Sequence, residues 1–332
     1  MPSSEQRSGS SRLPGPARPL AARPYGWDLT AIGARWRIDT PEPPAPELTA
    51  AVAALVADFD RAYSRFRPDS LVTRLAQTGG PVTFPDSVVG LLDLYETLFH
   101  VTGGAVNPLV GASLARLGDD ADHTLRQHGE PLPAPALERL RRENTTLTLA
   151  PDNTSSGATE PADVVLDFGA AGKGWLVDEV IALLAEHGVS GAVVDASGDL
   201  RAHGAPLRVA LEHPWDPAQA IGIVEVRDRA IAASATNRRR WGEGLHHVLD
   251  ARTGEPVERT TATWAVADTA ALADGLATAL FHTEPEELAA RTGIRFGHVR
   301  VLTDGTLQHA PGPPATESDT PEHPAPTWEI FR

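Results

Sequence analysis

Apolar residues recur at helical spacing in several stretches of the chain. In residues 46–66, Leu48, Val52, Leu55, Val56, Phe59 and Tyr63 make one stripe. Residues 86–104 predict a second helix, with Asp86 or Ser87 as its N-cap and Gly103 and Gly104 as its stop. Residues 173–188, "KGWLVDEVIALLAEHG", predict a third. A late helix over 268–283 carries Leu272, Leu276 and Leu280 on one face. Asp274 and Thr278 lie four apart on that helix and so share a face. Both are mediocre helix formers, so a mid-helix Asp calls for a reason.

Short apolar runs predict strands at "ARWRI", and then, after residue 160, at "DVVLDFG", "GAVVDASGDL", "LRVALEH", "IGIVEV", "RAIAAS" and "HVRVLT". Residues 119–160 read as loop, with one helix in "PLPAPALERLRREN". Hairpin-spaced strands with a few helices between them predict an α+β fold with largely antiparallel sheets. Residues 1–24 are Pro, Ser, Gly and Arg without periodicity and read as a disordered arm. Residues 309–332 read as a second, acidic tail, which leaves 25–308 as the folded domain.

Composition narrows the chemistry. Of 332 residues, 29 are basic and 44 acidic, a formal charge of −15, which argues against binding nucleic acid or an anionic membrane. The chain has no Cys, so disulfides, thiolate metal sites and Cys nucleophiles are excluded. It has neither a long apolar span nor the apolar core of a secretory signal, and the expected compartment is the cytoplasm. All basic residues but one are Arg; the exception is Lys173.

That lysine sits in "LDFGAAGKGWLVDEV", a glycine turn opening a helix. Such a turn can present N–H groups to a phosphate, or can be no more than a tight connection. Its spacing is not that of a Walker A loop. "VVDASGDLRAHG" places Asp199 in a polar turn, as a ligand contact or a plain turn residue. "HHVLDARTGEPV" offers His247 and Asp250 for acid–base work, or a hairpin with solvated polar groups. "NRRRW" reads as a solvated basic loop or a phosphate contact. "TGGAVNPLVGASL" is too glycine-rich for a helix; it is a connection, or backbone lying close to a ligand. The Asp274–Thr278 face offers two hard oxygens. They are too few for a calcium cage but enough for Mg²⁺ completed by substrate phosphates and water.

In order, "SRFRPDSLVTRLA", "TGGAVNPLVG", "LDFGAAGKGWLVD", "VVDASGDLRAHG", "AIAASATNRRRW", "HHVLDARTGEPV" and "ADTAALADGLATALF" resemble the blocks of the ApbE family. The resemblance implies a T-fold-related α+β architecture with FAD in a cleft between two lobes. It implies Mg²⁺-dependent transfer of FMN from FAD to a Thr or Ser hydroxyl of an acceptor protein, releasing AMP. Carried over by position, Asp274, Thr278 and the backbone of Ala170 would bind the metal. Phe66, Ala105, Val106, Asn107, Asp167, Lys173 and Val248 would contact FAD. His247 and Asp250 correspond to the family's H-x-x-D pair, and either could accept the acceptor's proton.

The sequence departs from the family at several places. Asn107 stands where Asp is usual, and Ala170-Ala171-Gly172-Lys173-Gly174 replaces Gly-Ile-Ala-Lys-Gly. "AASAT" replaces the "ATSG" segment, and Ile32 replaces a Met before Gly33. Many members are exported lipoproteins, whereas this chain has no lipoprotein Cys. Two alternatives accompany the transferase expectation: a non-catalytic FAD-binding chaperone or sensor, and an FAD diphosphatase giving FMN and AMP.

Overall fold

Side chains alternating across one long sheet create two separate cores. The computed structural model describes residues 25–151, 164–204, 206–312 and 326–331. Eight strands run in the order Tyr25–Ala31, Ala34–Thr40, Ala192–Asp195, Asp199–His203, Ala230–Ala235, Thr260–Ala267, Gly297–Leu302 and Leu307–Ala310. Every neighbouring pair is antiparallel. Along Ala230–Ala235, Ala230 and Ala232 enter one core and Ile231 the other, the two-residue period of a pleated strand.

Seven α-helices are present among the described residues: α1 (Pro46–Tyr63), α2 (Leu71–Thr78), α3 (Ser87–Val101), α4 (Gly111–Leu117), α5 (Gly172–Glu186), α6 (Ala270–Ala279) and α7 (Pro285–Thr292). α1, α3, α5 and α6 fill the larger core on one face of the sheet. α6 approaches through alanine: Ala270, Ala273 and Ala277 share that core with Ala230, Ala232, Ala265 and Ala267 of the strands beneath. The opposite face is covered by a three-stranded sheet of Pro206–His213, Asp216–Arg227 and Thr327–Ile330, which buries Leu211 and Val224 against Ile231 and Trp264. Helices and antiparallel sheets in this combination are the expected α+β class.

Several local expectations need correction. "DVVLDFG" is not a strand over its described residues 164–168. It is extended chain with Val164, Leu166 and Phe168 buried, held by Asp167 N–H to the Pro108 carbonyl (2.7 Å) and by Gly111 N–H to the Val165 carbonyl (3.2 Å). The alternation was right, but the hydrogen-bond partners are a loop. "PLPAPALERLRREN" forms a single 3-10 turn, Leu137–Arg139, and then strand Leu140–Glu143, paired with Thr146–Leu149. Its spaced prolines lack N–H donors and push the residues before them out of the helical region. "TGGAVNPLVGASL" is a connection only at first, since α4 starts at Gly111.

Asp86 occupies the N-cap of α3 but makes no side-chain cap bond; the Ser87 hydroxyl pairs with the Tyr63 hydroxyl instead (2.8 Å). Helices α2 and α7 and strand Tyr25–Ala31 were not anticipated. The expected tail from 309 onward begins inside strand Leu307–Ala310, and residues 327–330 form a strand on Asp216–Arg227. The expected N-terminal arm, 1–24, and residues 313–325 lie outside the described residues. No helix among the described residues is long and apolar enough to cross a membrane.

Candidate active site

The site is built where α5 meets α6. The helices come so close at Gly174 that a Cβ there would lie 2.2 Å from the Ala270 carbonyl oxygen and 2.8 Å from Asp274 Cβ. Only glycine fits such an approach. The Gly174 N–H donates to Asp274 Oδ2 (3.0 Å), so the first turn of α5 holds the carboxylate of α6. One turn along α6, Thr278 Oγ1 donates to the Ala170 carbonyl (3.3 Å). The three groups expected to bind metal thus converge on one junction.

Two other residues fix α6. Thr269 Oγ1 caps it by accepting from Leu272 N–H. Asp178, on α5, accepts the Ala270 N–H (2.8 Å) and the Ala271 N–H (2.9 Å), two of the donors that a helix start leaves free. Asp178 was not picked out from the sequence. A carboxylate in mid-helix, as with Asp274, was the available signal.

The N–H groups of residues 169–172 in the glycine turn are occupied within the protein, as a tight connection requires. Ala170 and Ala171 both donate to the Tyr95 hydroxyl (2.9 and 3.2 Å), Gly169 donates to Asp167 Oδ1 (2.8 Å) and Gly172 to the Phe168 carbonyl (2.8 Å). The turn's outward group is the Ala170 carbonyl. Tyr95, fully buried on α3 and edge-on to Phe168, therefore holds the turn from behind. In the sequence it reads as one more member of an apolar stripe.

Electrostatics concentrate at the same junction. Asp199 is completely buried (0% exposed) and Asp274 nearly so. Lys173 Nζ lies 2.5 Å from Asp199 Oδ2, while neither Asp199 oxygen receives a directed hydrogen bond. Burial, reinforced by the Asp199 charge, pushes the Asp274 carboxyl well above the ordinary range. Burial works against the Lys173 ammonium, but the charges of Asp199 and Asp274 outweigh it and raise its pKa.

A carboxylate, a hydroxyl and a backbone carbonyl are hard oxygen donors of the kind Mg²⁺ takes, and two buried carboxylates facing one ammonium favour an added cation. Among the described residues no cluster of three or more His, Asp or Glu side chains could hold a metal alone. The donor set at this junction has one carboxylate, so a cation held there would need further oxygens from outside the protein.

The other expected residues surround this junction unevenly. Asp167 is clamped by Arg65, whose Nε lies 2.5 Å from Asp167 Oδ2 and whose Nη2 lies 2.6 Å from Asp119 Oδ2. Arg65 also sits 4.1 Å above the Phe66 ring, which stacks on His123 at 4.8 Å. Asn107 faces no opening, because its amide donates to the Pro135 carbonyl (3.0 Å) and accepts from Leu109 N–H (2.9 Å). It holds the 105–111 connection in place. Ala105 accepts from Ala251 N–H (3.0 Å), and Val106 donates to Thr102 Oγ1 (3.0 Å). Val248 is buried beside His246. A cavity of about 270 Å³ opens beside Tyr95 and Pro108, walled by Phe99, Leu137 and Arg142. None of the residues carried over from the family lines it.

The structure does not pair His247 with Asp250. Among the described residues no hydrogen bond or ion pair joins them. Asp250 lies in the hairpin Leu249–Asp250/Glu255–Pro256 and is gripped by Arg252 through Nε (2.9 Å) and Nη2 (2.5 Å). Burial would raise the Asp250 pKa, but the Arg252 contacts prevail and lower it. His247 Nδ1 is buried without a partner. Burial first, and then the Arg239 and His246 charges, lower the His247 pKa to about 4, so its ring is neutral at pH 7.

The model of the ApbE family matches residues 32–298. The chain belongs to the ApbE family. An FAD:protein FMN transferase of Treponema pallidum is 30% identical over 268 residues, covering 72% of each chain. One from Klebsiella pneumoniae is 26% identical over 301 residues, covering 84% of each. Among solved structures, an ApbE protein from Thermotoga maritima superimposes with a TM-score of 0.73 at 20% identity, covering 86% of this chain and 96% of its own. The flavin transferase ApbE from Vibrio cholerae gives 0.70 at 22% identity, with the same coverage. At such identities the structural likeness speaks for the fold.

Proposed function

We propose that this ApbE-family protein transfers FMN from FAD to a Thr or Ser hydroxyl of an acceptor protein, with Mg²⁺, releasing AMP. The observation that carries the reading is the convergence of Asp274, Thr278 and the Ala170 carbonyl at the α5–α6 junction. Curated relatives over most of the chain are named FAD:protein FMN transferase, which supports the transfer of FMN from FAD to a protein. In the reaction the acceptor oxygen bonds to the FMN phosphorus, the bond from that phosphorus to the AMP oxygen breaks, and the hydroxyl proton passes to a base. Mg²⁺, when bound, neutralises charge on the diphosphate and improves AMP as a leaving group.

Asp274, Thr278 and Ala170 would hold the ion. Lys173, a quarter exposed, would face the diphosphate from the first turn of α5. Phe66, already packed by Arg65 and His123, would contact the flavin nucleotide with what these two leave of its ring. Of the two candidate bases we favour His247, whose ring is neutral with an unpartnered nitrogen, whereas Arg252 occupies Asp250.

The test is direct. Purified protein with FAD, Mg²⁺ and a Thr-containing acceptor should release AMP and yield a fluorescent acceptor, and Asp274→Ala should abolish both. AMP release with free FMN and an unlabelled acceptor would instead make the protein a diphosphatase.

A further inference from the structure

The lysine at the α5–α6 junction is turned toward the wrong carboxylate for a simple ion pair with Asp274. Lys173 Nζ sits at 2.5 Å from Asp199, and among the described residues it forms no ion pair with Asp274. Asp274 is nonetheless held by the N–H of Gly174, the residue after Lys173 (3.0 Å), so the three meet at one buried junction. Counted as ions they sum to one negative charge.

Asp199 is delivered there by a stapled turn. Ser197 (φ 57°) and Gly198 (φ 117°) are both left-handed, an uncommon conformation for serine. Ser197 Oγ donates to the Arg35 carbonyl (2.6 Å), Gly198 N–H to Asp195 Oδ1 (3.3 Å) and Ala196 N–H to the Asp199 carbonyl (2.9 Å). A fully buried carboxylate with a single ammonium as its partner is costly, and a strained turn that aims it inward has a use elsewhere.

We propose that Asp199 is a positioning residue: it draws the Lys173 ammonium aside, leaving the Asp274 carboxylate open to a divalent cation. The inference rests on the metal role proposed for Asp274. Without Asp199 the carboxylates left acting on the lysine are Asp274 and Asp195, and since Asp195 accepts from Gly198 N–H, an ammonium drawn to Asp274 competes with the ion. Removing the lysine as well takes away the competitor.

The test is a double-mutant cycle read by Mn²⁺ binding, followed as loss of the free-ion EPR signal without FAD. Asp199→Asn should weaken Mn²⁺ binding about tenfold or more, and Lys173→Met should change it by less than about threefold. The double variant should return to within about threefold of the parent. A double variant as weak as Asp199→Asn overturns the proposal, because Asp199 then acts on the ion directly. Unchanged binding in Asp199→Asn overturns it as well. If the parent binds no Mn²⁺ and matches Asp274→Asn, the metal reading itself fails and takes this one with it.

Because Lys173 is the sole lysine, reductive ¹³C-methylation gives a single ε-amine NMR signal. That signal should shift on Asp274→Asn far less in the parent than in Asp199→Asn. Far-UV circular dichroism keeps misfolding apart from both outcomes.

Discussion

Tyr95→Phe isolates the grip on the glycine turn. The change keeps the ring, its edge contact with Phe168 and its volume, so no cavity arises and packing is preserved. What disappears is the one oxygen accepting from both Ala170 and Ala171 N–H. Each buried N–H left without an acceptor costs about 1–3 kcal/mol, partly offset because the hydroxyl itself no longer has to be desolvated. The expected loss is roughly 2–4 kcal/mol. With a urea m-value of about 3 kcal/mol/M for a chain of this size, the midpoint should fall by roughly 0.7–1.3 M. Urea titration followed by tryptophan fluorescence measures this. The turn should also loosen, because among the described residues the Ala170 carbonyl has Thr278 alone as a hydrogen-bond partner. Amide exchange at 170 and 171 should accelerate in step with the lost stability. A midpoint shift under about 0.2 M would refute the claim that these two N–H groups depend on the phenol.

Two further outcomes are expected. Gly174→Ala puts a methyl against the Ala270 backbone, which cannot rotate away, and should cost about 3 kcal/mol or more while separating α5 from α6; a thermal melt and Mn²⁺ binding report both effects. His247 and His282 have folded pKa values lowered to about 4 from 6.5, chiefly by burial, so between those values the unfolded chain binds more protons than the folded one. Their contribution is present above pH 6.5 and is lost as the pH falls toward 4. Urea midpoints at descending pH should drop across that window, and His282→Gln should flatten the drop.

What the sequence disclosed was local. Asp274 and Thr278 on one face of a late helix, and a glycine turn beside a lone lysine, are both statements about neighbours within a turn, and the structure places them as such. Burial periodicity likewise located α1, α3, α5 and α6. The misses have a common cause, which is that their reason lies far along the chain. Tyr95 holds Ala170 from 75 residues away, Arg65 clamps Asp167 from 102 and Asp178 caps α6 from 92. No window of sequence contains both partners. The glycine turn stays open between two readings in the sequence for the same reason, since two of its donors look free until α3 is seen behind it. The 164–168 segment was misread because alternation records burial on both sides of an extended chain, and not whether a strand or a loop supplies the hydrogen bonds.

The alanine seam beneath α6 works as a ruler. Its spacing is set by methyl groups against methyl groups, with almost nothing left to trim. Any bulkier residue at Ala230, Ala232, Ala265 or Ala267 lifts the helix bodily, and Asp274 and Thr278 travel with it. The far face of those strands packs a core of its own, around Ile231 and Trp264, and tolerates exchanges that conserve volume, whereas the near face is held to one size by chemistry taking place a full helix diameter away.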